Sequence, residues 1–347
     1  MKAVVIHEHG GLDRLRFEER PDPTPAGDEV VVRVEAVALN HLDVWVRRGV
    51  PGAKFPLPII PGCDVAGTIH AVGATARGLA VGQRVVVAPG LSCGRCPVCL
   101  AGRDQLCRHY GILGETRDGG CAELVAVPAV NAVPMPESEL SVTDWAAVPL
   151  TFLTAWHMLV DRARVRPGEQ VVIHAAGSGV SAAGIQIARL LGARVLATAG
   201  TAAKLERARE LGAEEVVDYR KDDFAKATRA WTDKRGADVV FDHVGADTFD
   251  ASVRSLAKGG RYVFCGSTSG FEMKSDFRFV FFKNVSILGS TMGSKAEVHE
   301  IVGHVAAGRL RPIVDSVLPL AEVAEGHRRL EAREVFGKVV LTPDGAS

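Results

Sequence analysis

The sequence predicts a two-domain α/β protein whose second domain contains a parallel, doubly wound sheet. A chain of 347 residues is longer than one hydrophobic core usually serves, so two domains are expected. The pattern also changes near residue 152. Strand-like runs broken by Pro and Gly precede it, whereas strands and helices alternate from there to about residue 293. Such alternation is typical of a parallel sheet covered by helices on both faces.

The part before residue 152 is predicted to be rich in β-strands. Residues 30–34 and 83–87 are dominated by valine and predict strands. Residues 19–25 contain three prolines and predict an extended connector. After the alternating segment, we expect a helix over about 296–307 and a strand over 338–341. We find neither an internal repeat nor a low-complexity tract.

A glycine-containing turn organises the alternating segment. The apolar run of residues 171–173 leads through Gly177-x-Gly179-x-x-Ala182 into a helix with apolar residues at helical spacing. Glycines there allow backbone N–H groups and the positive end of a helix dipole to approach a phosphate closely. The motif alone is a weak signal, but a strand at 194–199 and a helix ending at Gly212 follow it. The turn predicts dinucleotide binding. A structural turn of another α/β protein is the alternative.

Charge and hydropathy exclude several classes of function. The chain has 41 basic and 41 acidic residues, so no net charge attracts nucleic acid or an anionic membrane. No apolar stretch approaches the roughly 18 residues of a membrane-spanning helix. His7 and Glu8 interrupt the first apolar run too early for a signal peptide. We therefore expect a cytoplasmic protein with a small-molecule substrate and with neither nucleic acid nor membrane as a partner.

Four of the seven cysteines lie within fifteen residues, at Cys93, Cys96, Cys99 and Cys107. In a reducing compartment such clustering favours a metal over disulfides. Four thiolates at this spacing can close a tetrahedral shell around Zn²⁺, which leaves no position for a substrate. The cluster therefore predicts one structural zinc. Free thiols and an iron–sulfur cluster are the alternatives.

The chain resembles the medium-chain dehydrogenase/reductase superfamily, which contains the zinc alcohol dehydrogenases and the quinone oxidoreductases. The resemblance is carried by residues 61–67, the cysteine cluster, residues 153–156 and the glycine turn. It implies a GroES-like β-rich domain from residues 1–151 and 294–347, with a structural-zinc lobe at about 90–110. It also implies a Rossmann domain from residues 152–293, a substrate cleft between the domains, and a homodimer or homotetramer.

The positions of the family's catalytic zinc are altered in this chain. The Cys, His and Cys that hold this zinc in the alcohol dehydrogenases correspond to Asn40, Cys63 and Leu150. A catalytic zinc needs about three protein ligands, and this set offers one thiolate. We therefore expect no catalytic zinc, and we interpret Cys63 as a small buried residue. A rearranged zinc site made by His41, Cys63 and Asp64 is the open alternative.

The resemblance also implies the catalytic residues. The run Asn40-His41-Leu42-Asp43 is similar to the Asn-x-x-Asp of the zinc-free quinone oxidoreductases, and Leu42 stands where alcohol dehydrogenases have a relay hydroxyl. We predict that Asn40 donates hydrogen bonds to the substrate oxygen, and that Asp43 and Asp64 orient donors or water. The alternative for Asn40 is that it only caps a turn.

The cofactor site is implied in the same way. The residues expected to contact the cofactor are Thr154, Gly177, Ser178, Gly179, Val180, Lys204, Tyr219, Val244, Gly245, Cys265 and Gly266. An acid that selects NAD is expected about 20 residues past the glycines, but residues 199–201 are Ala, Gly and Thr. Lys204 and Tyr219 match the residues that hold the 2′-phosphate in quinone oxidoreductases. We therefore predict that NADP(H) is preferred over NAD(H).

Together these patterns predict an NAD(P)H-dependent oxidoreductase that transfers hydride to a small carbonyl, an enone or a quinone. One alternative is a zinc-dependent alcohol dehydrogenase. An alternative from another class is a nucleotide-bound protein without turnover, as suggested by lens crystallins that resemble quinone reductases.

Overall fold

The computed structural model describes residues 1–343, which fold into two compact units. Unit 1 comprises Met1–Leu150, Ser294–Gly308 and residues 312–343, and unit 2 comprises Thr151–Gly293 and Arg309–Arg311. Each unit contains its own sheet. None of the helices within residues 1–343 combines the length and the apolar character that crossing a bilayer requires.

The first stretch of unit 1 is mostly strand. Its strands are β1 (Lys2–Ile6), β2 (Leu15–Glu19), β3 (Glu29–Ala38), β4 (Asp64–Val72), β5 (Arg84–Val87), β6 (Gly90–Leu91), β7 (Gly111–Ile112), β8 (Leu124–Pro128) and β9 (Ala132–Pro134). The helices are short: α1 (His41–Arg48), α2 (Pro97–Leu100) and α3 (Val142–Ala146). Strand β3 is the central element, because it pairs antiparallel with both β4 and β8. Most of its valines are buried, as expected for a strand in a sheet core.

Unit 2 alternates helices and strands. Its elements are α4 (Pro149–Trp156), β10 (Gln170–Ile173), α5 (Gly179–Leu190), β11 (Arg194–Ala199), α6 (Ala202–Glu210), β12 (Glu215–Asp218), α7 (Phe224–Trp231), β13 (Ala237–Asp242), α8 (Phe249–Ser255), β14 (Leu256–Phe264), α9 (Phe277–Phe282) and β15 (Ser286–Gly289). The strands pair in parallel in the order β12-β11-β10-β13-β14-β15. The order changes direction at β10, so the glycine turn after β10 lies where doubly wound sheets bind ligands. The predicted fold class is confirmed.

The chain then returns to unit 1. It forms α10 (Lys295–Ala306), β16 (Val314–Pro319), α11 (Val323–Glu331) and β17 (Lys338–Thr342). The main sheet of unit 1 has the order β16-β17-β3-β4-β5-β9. Val340 of β17 pairs with Ala38 of β3, and Ala38 also pairs with Asp64 of β4. Because the β17–β3 pair is antiparallel, this register sets Lys338 opposite Asn40, at the end of the sheet where β4 begins.

Candidate functional site

Four thiols meet in a lobe of unit 1. The Sγ–Sγ distances are 3.4 Å for Cys96–Cys99, 3.5 Å for Cys93–Cys107, and 3.9 Å for both Cys93–Cys99 and Cys96–Cys107. A tetrahedral zinc with Zn–S bonds of about 2.3 Å separates its sulfurs by about 3.8 Å. Hydrogen bonds from the backbone N–H groups of Arg95 and Cys96 lower the pKa of Cys93, which favours the thiolate form. The four thiols therefore fit one tetrahedral zinc.

Asp104 fixes this lobe to helix α10. Lys295 Nζ lies 2.7 Å from Asp104 Oδ2 and 2.7 Å from Ser92 Oγ. The backbone N–H of Lys295 also donates to Asp104 Oδ1, at 3.0 Å. The Lys295 and Asp104 side chains are only 15% and 10% exposed, so solvent screens the pair less than a surface ion pair. Since Asp104 lies between Cys99 and Cys107, the ion pair positions the loop that joins these two thiols.

A second cluster of unit 1 contains a buried cation. Lys338 Nζ lies 2.5 Å from Asn40 Oδ1 and 2.8 Å from Asp64 Oδ2. The side chains of Lys338 and Asp64 are 4% and 0% exposed, and Asn40 is also buried. The structure thus brings together two of the predicted catalytic residues, and it adds a cation that sequence reasoning missed. The β17–β3 register is the reason, and no local motif around Lys338 indicates it.

The polar atoms of Asn40 and Asp64 are engaged by protein groups. Asn40 Nδ2 donates to Asp64 Oδ2 at 3.0 Å and to Ala38 O at 3.3 Å, and it lies 3.5 Å from Cys63 Sγ. Asp64 Oδ1 accepts a hydrogen bond from the backbone N–H of Leu150, at 2.7 Å. A lysine can only donate, so the amide oxygen of Asn40 must face Lys338. The Asn40 amide hydrogens, which the sequence assigned to the substrate oxygen, point at Asp64, Ala38 and Cys63 in this structure.

Asp43, the third predicted catalytic residue, connects two backbone segments. Its Oδ2 accepts from the backbone N–H of Asn40 at 2.7 Å, and its Oδ1 accepts from that of Gly62 at 2.8 Å. Burial raises the pKa of Asp43 to about 6, although both backbone hydrogen bonds oppose this rise. Gly62 has a φ of +95°, and a Cβ there would lie 2.7 Å from Cys121 Sγ. Asp43 therefore holds a tight segment directly before Cys63.

This second cluster does not fit a catalytic zinc. The oxygens that Asn40 and Asp64 offer face an ammonium, and Leu150 presents a backbone N–H. Burial, then Asp64, raises the pKa of Cys63 well above its usual range, so its thiol stays protonated. His41 is exposed. Within residues 1–343, only the four-thiol lobe brings three or more His, Cys, Asp or Glu ligand atoms within 4.8 Å of one another. His41, Cys63 and Asp64, the alternative zinc ligands, do not form such a group.

The glycine turn of unit 2 fits a phosphate. A Cβ on Gly177 would lie 2.9 Å from Lys204 Cδ and 3.1 Å from Lys204 Nζ, so the Lys204 side chain covers the turn. Ser178 occupies the N-cap position of α5 without a side-chain capping hydrogen bond. Helix α5 begins at Gly179 and Val180, whose N–H groups belong to the helix end that attracts anions. A glycine at 177 and a cation beside it suit an anionic ligand.

A second cationic side chain lies beyond the ends of β11 and β12. A Cβ on Gly200 would lie 2.7 Å from Tyr219 Oη and 2.9 Å from Arg220 Nε. The sequence prediction named Lys204 and Tyr219 but missed Arg220. Its signal was available, since Arg220 is a cation that directly follows Tyr219 in the sequence. A guanidinium and a phenol hydroxyl are suitable partners for a phosphate ester.

A buried polar network holds the glycine turn in place. His174 Nε2 lies 2.9 Å from Ser252 Oγ, and its Nδ1 lies 3.2 Å from Thr198 Oγ1. Ser181 Oγ donates to the backbone oxygen of His174 at 2.6 Å and lies 2.9 Å from His243 Nε2. Burial lowers the pKa of His174 and of His243. Both imidazoles are therefore neutral near pH 7 and position the turn through hydrogen bonds.

The predicted cofactor residues Val244 and Gly245 follow strand β13. The backbone N–H of Val244 donates to Asp242 Oδ1 at 2.6 Å. Gly245 has a φ of +89°, and a Cβ there would lie 2.1 Å from Ser267 Oγ. A side chain at 245 would therefore displace the loop that follows β14.

The remaining predicted cofactor residues lie after β14 and on α4. Burial raises the pKa of Cys265 to about 12, so its thiol is neutral, and Gly266 follows it directly. Thr154 lies on α4 and is 4% exposed, with its Oγ1 4.0 Å from Met292 Sδ. These contacts all lie within unit 2. Contact of Cys265, Gly266 and Thr154 with a cofactor stays a prediction.

Comparison with known proteins gives matches along the whole chain. Residues 26–137 match the alcohol dehydrogenase GroES-like domain, and residues 179–307 match the zinc-binding dehydrogenase family. A crystal structure of an NAD-dependent alcohol dehydrogenase is 53% identical, with a TM-score of 0.95 over 99% of each chain. Human quinone oxidoreductase is 30% identical over 98% of this chain and 97% of its own. Acryloyl-coenzyme A reductase of Sulfurisphaera tokodaii is 29% identical over 99% and 100%, respectively.

The chain also matches part of a much longer protein. It is 32% identical to a segment of a phenolphthiocerol/phthiocerol polyketide synthase from Mycobacterium tuberculosis. The match covers 98% of this chain and 15% of the length of that synthase. The chain therefore spans only a small part of this relative.

Proposed function

This chain belongs to the medium-chain dehydrogenase/reductase superfamily of zinc-type alcohol dehydrogenases and quinone oxidoreductases, and on that premise we propose that it reduces an enone or a quinone with NADPH and without a catalytic metal. The observation that carries the proposal is the buried contact of Lys338 with Asn40 and Asp64. Asn40 corresponds by the resemblance to a ligand of the family's catalytic zinc, and the oxygens of Asn40 and Asp64 face an ammonium here.

The chemistry follows from the charge of this cluster. When bound, NADPH supplies the hydride. The reaction leaves negative charge on the substrate oxygen, and buried positive groups stabilise it most strongly. An ammonium has three N–H donors, and Lys338 uses two of them on Asn40 and Asp64. We assign the third to the substrate oxygen, while Asn40 and Asp64 hold Lys338 in place.

An enone or a quinone suits such a site better than an alcohol. Reduction of either gives an anion that is already delocalised, so hydrogen bonds suffice to stabilise it. Oxidation of an unactivated alcohol needs an electrophile and a proton path. Leu42 stands where the family's relay hydroxyl would be, and its side chain cannot carry a proton.

A substrate panel tests the proposed reaction. The protein is first treated with a chelator that removes weakly bound metal and leaves one zinc per chain. Alcohols, aldehydes, enones and quinones are then assayed by the absorbance of NADPH. We expect an enone or a quinone to be the best substrate, with activity unaffected by chelation. The assignment is wrong if a primary or secondary alcohol is best and its oxidation depends on a second, removable metal.

The preference for NADP(H) is supported by Lys204, Tyr219 and Arg220. Lys204 covers Gly177, while Tyr219 and Arg220 lie against Gly200. Neither Gly200 nor its neighbours supply the acid that would bind a ribose 2′-hydroxyl. The 53% identical structure is described as NAD-dependent, so the preference has to be measured for this chain.

The measurement compares kcat/KM for NADPH and NADH. We expect the wild type to prefer NADPH, and we expect Lys204→Ala and Arg220→Ala each to lower kcat/KM for NADPH about 10-fold or more. Lys226→Ala is the matched control, because Lys226 is another exposed cation of unit 2. A wild-type preference for NADH would overturn the prediction.

The lobe of Cys93, Cys96, Cys99 and Cys107 is proposed to hold one structural zinc. Its support is the match between the Sγ–Sγ distances and a tetrahedral shell. Zinc there would order the lobe, since four protein ligands leave no position for a substrate.

Two other functions compete with this proposal. A zinc-dependent alcohol dehydrogenase is favoured by the description of the 53% identical structure, and the chelation assay decides for or against it. A nucleotide-bound protein without turnover would bind NADPH with the same glycine turn. Absence of turnover across the whole panel would favour that second alternative.

A homodimer is the proposed assembly. Strand β15 is an edge of the unit 2 sheet, and edge strands readily pair with a second chain. Large apolar side chains are exposed on β15 and on α9, the helix that precedes it in the chain: Phe277 (67%), Phe281 (59%), Phe282 (70%) and Ile287 (39%). Light scattering should give twice the chain mass, and Phe282→Asp should shift it toward the monomer.

A further inference from the structure

The buried Lys338 ammonium lies at the centre of the second cluster of unit 1. Its two oxygen partners, Asn40 Oδ1 at 2.5 Å and Asp64 Oδ2 at 2.8 Å, are the kinds of ligand that hard divalent cations bind at similar distances. Cys63 Sγ lies 3.5 Å from Asn40 Nδ2 and 4.0 Å from Asp64 Oδ1. The amide and the carboxylate therefore contact the ammonium, and the thiol contacts the other polar atom of each of these two side chains.

The geometry points to Lys338 as a built-in cation that keeps this cluster free of metal, so that its removal converts Asn40, Cys63 and Asp64 into a divalent-cation site. This inference rests on the proposed metal-free reduction, and it adds the reason why the site takes no metal. Lys338 occupies the oxygens that a metal would need, and its positive charge repels a second cation from the same place.

Charge balance determines what happens without Lys338. Two carboxyl groups, Asp43 and Asp64, lie in or beside the cluster with 1% and 0% exposure. Lys338 is the cation bonded to Asp64. Its neutral replacement leaves a buried carboxylate without a counter-charge, which is strongly unfavourable. A divalent cation on Asp64 restores that counter-charge.

Cys63 contributes the soft ligand. Its Sγ lies 4.0 Å from Asp64 Oδ1, which places it close to a cation that Asp64 binds. A bound divalent cation deprotonates a coordinating thiol outright. The free thiol of the wild type thus becomes a thiolate ligand only after a metal has replaced Lys338.

The test compares metal binding in Lys338→Met and in the wild type, without any substrate. Zinc content is measured by elemental analysis, and Co²⁺ is added as a spectroscopic probe. The wild type should hold one zinc per chain, whereas Lys338→Met should hold a second divalent cation. Bound Co²⁺ should show a thiolate-to-cobalt charge-transfer band, and the additional change Cys63→Ala should remove this band.

Three controls separate charge from general damage. Lys338→Arg keeps the charge and should exclude the second metal. Lys338→Met combined with Asp64→Asn removes both charges and should also bind no second metal. If Lys338→Met folds only when Zn²⁺ is added, the metal stabilises the folded chain as the inference requires. If it folds under neither condition, Lys338→Gln, whose side chain is polar and neutral, decides by the same measurements.

The outcomes distinguish this inference from the proposed function. A folded Lys338→Met or Lys338→Gln chain with one metal and no affinity for Co²⁺ overturns the inference alone, because metal-free reduction by the wild type would be unaffected. A second metal in Lys338→Arg overturns it as well. A second metal in the wild type overturns both the inference and the metal-free function.

Discussion

Unit 1 contains two clusters that include cysteine, and they differ in their supply of positive charge. In the lobe, four thiols approach one another to 3.4–3.9 Å, and the backbone N–H groups of Arg95 and Cys96 help one of them to ionise. In the second cluster, one thiol stays protonated beside an Asp64–Lys338 ion pair. We propose that the first cluster takes its cation from outside the chain, whereas the second contains its own, Lys338.

This difference shows why counting potential ligands is not sufficient. Cys63 and Asp64 are suitable ligand types that lie next to each other, yet the ammonium of Lys338, from a distant strand, already binds Asp64. In the lobe, by contrast, the four thiols contact one another, and Lys295 is engaged with Asp104 and Ser92. Substitutions in the two clusters should therefore have effects that differ in size and in kind.

The largest effect is expected from Cys107→Ser. Structural zinc binding is worth about 10–16 kcal/mol in small zinc domains, so loss of one ligand should release the zinc and unfold the lobe. Zinc content and the melting temperature should both fall. Cys121→Ser, at another buried cysteine of unit 1, should keep the zinc. If Cys107→Ser retains one zinc per chain, the assignment of the lobe is wrong.

Asn40→Ala is expected to act on catalysis and not on metal content. It removes the amide that bonds to Lys338 and Asp64, so the Lys338 ammonium loses one of the two groups that position it. Loss of a single oxyanion-stabilising group typically costs about 10²–10³ in kcat. NADPH affinity should stay nearly constant, as should the zinc content. An unchanged kcat would contradict a catalytic role for this cluster.

Asp43 should make stability depend on pH. Its pKa is about 6 in the folded chain, against 3.8 as the ordinary value. Between these values the folded chain keeps a proton that the unfolded chain has lost, so the free energy of unfolding should fall as pH rises from about 4 to 6. The expected loss is about 3 kcal/mol.

Denaturant titrations of the wild type and Asp43→Asn across this pH range measure the difference in slope. The slope should flatten in Asp43→Asn. It should persist in Asp28→Asn, which changes an exposed carboxylate of the same unit. Equal slopes in the wild type and Asp43→Asn would show that Asp43 is not the source of the pH dependence.

The smallest effect is expected from Cys63→Ala. Cys63 is fully buried and behaves as a small apolar residue, so its truncation should cost about 1 kcal/mol through a small cavity. Zinc content should not change. The zinc content and stability of Cys63→Ala and Cys107→Ser can then be compared directly, to show whether sulfur binds metal in one cluster and only fills space in the other. If Cys63→Ala also lost a metal, the proposed difference between the metal-binding lobe and the metal-free second cluster would be wrong.

Local sequence patterns predicted most of the fold. The valine-rich runs became strands β3 and β5, and the segment after Gly177 became helix α5. The spacing of Cys93, Cys96, Cys99 and Cys107 likewise predicted a group whose members meet in space. These features succeed because each depends on residues that are close in sequence.

Lys338 could not be found in this way. Residues 338–341 predict a strand and nothing more. The role of Lys338 depends on the pairing of β17 with β3, which is a long-range property. The hydrogen bonds of Asn40 were not predicted for the same reason. The sequence assigned the Asn40 amide to a substrate, whereas in the structure this amide is bonded to Asp64 and Lys338.

The distance along the chain between Lys338 and Asn40 also has a consequence for folding. The two residues are separated by 298 positions, and their contact forms only when β17 joins β3. Contacts between such distant residues form slowly, because a long loop must be closed first. Until then Asp64 lacks the ammonium that its carboxylate contacts. We therefore expect the pairing of β17 with β3 to be a late step of refolding, and Lys338→Met to change the rate of that step.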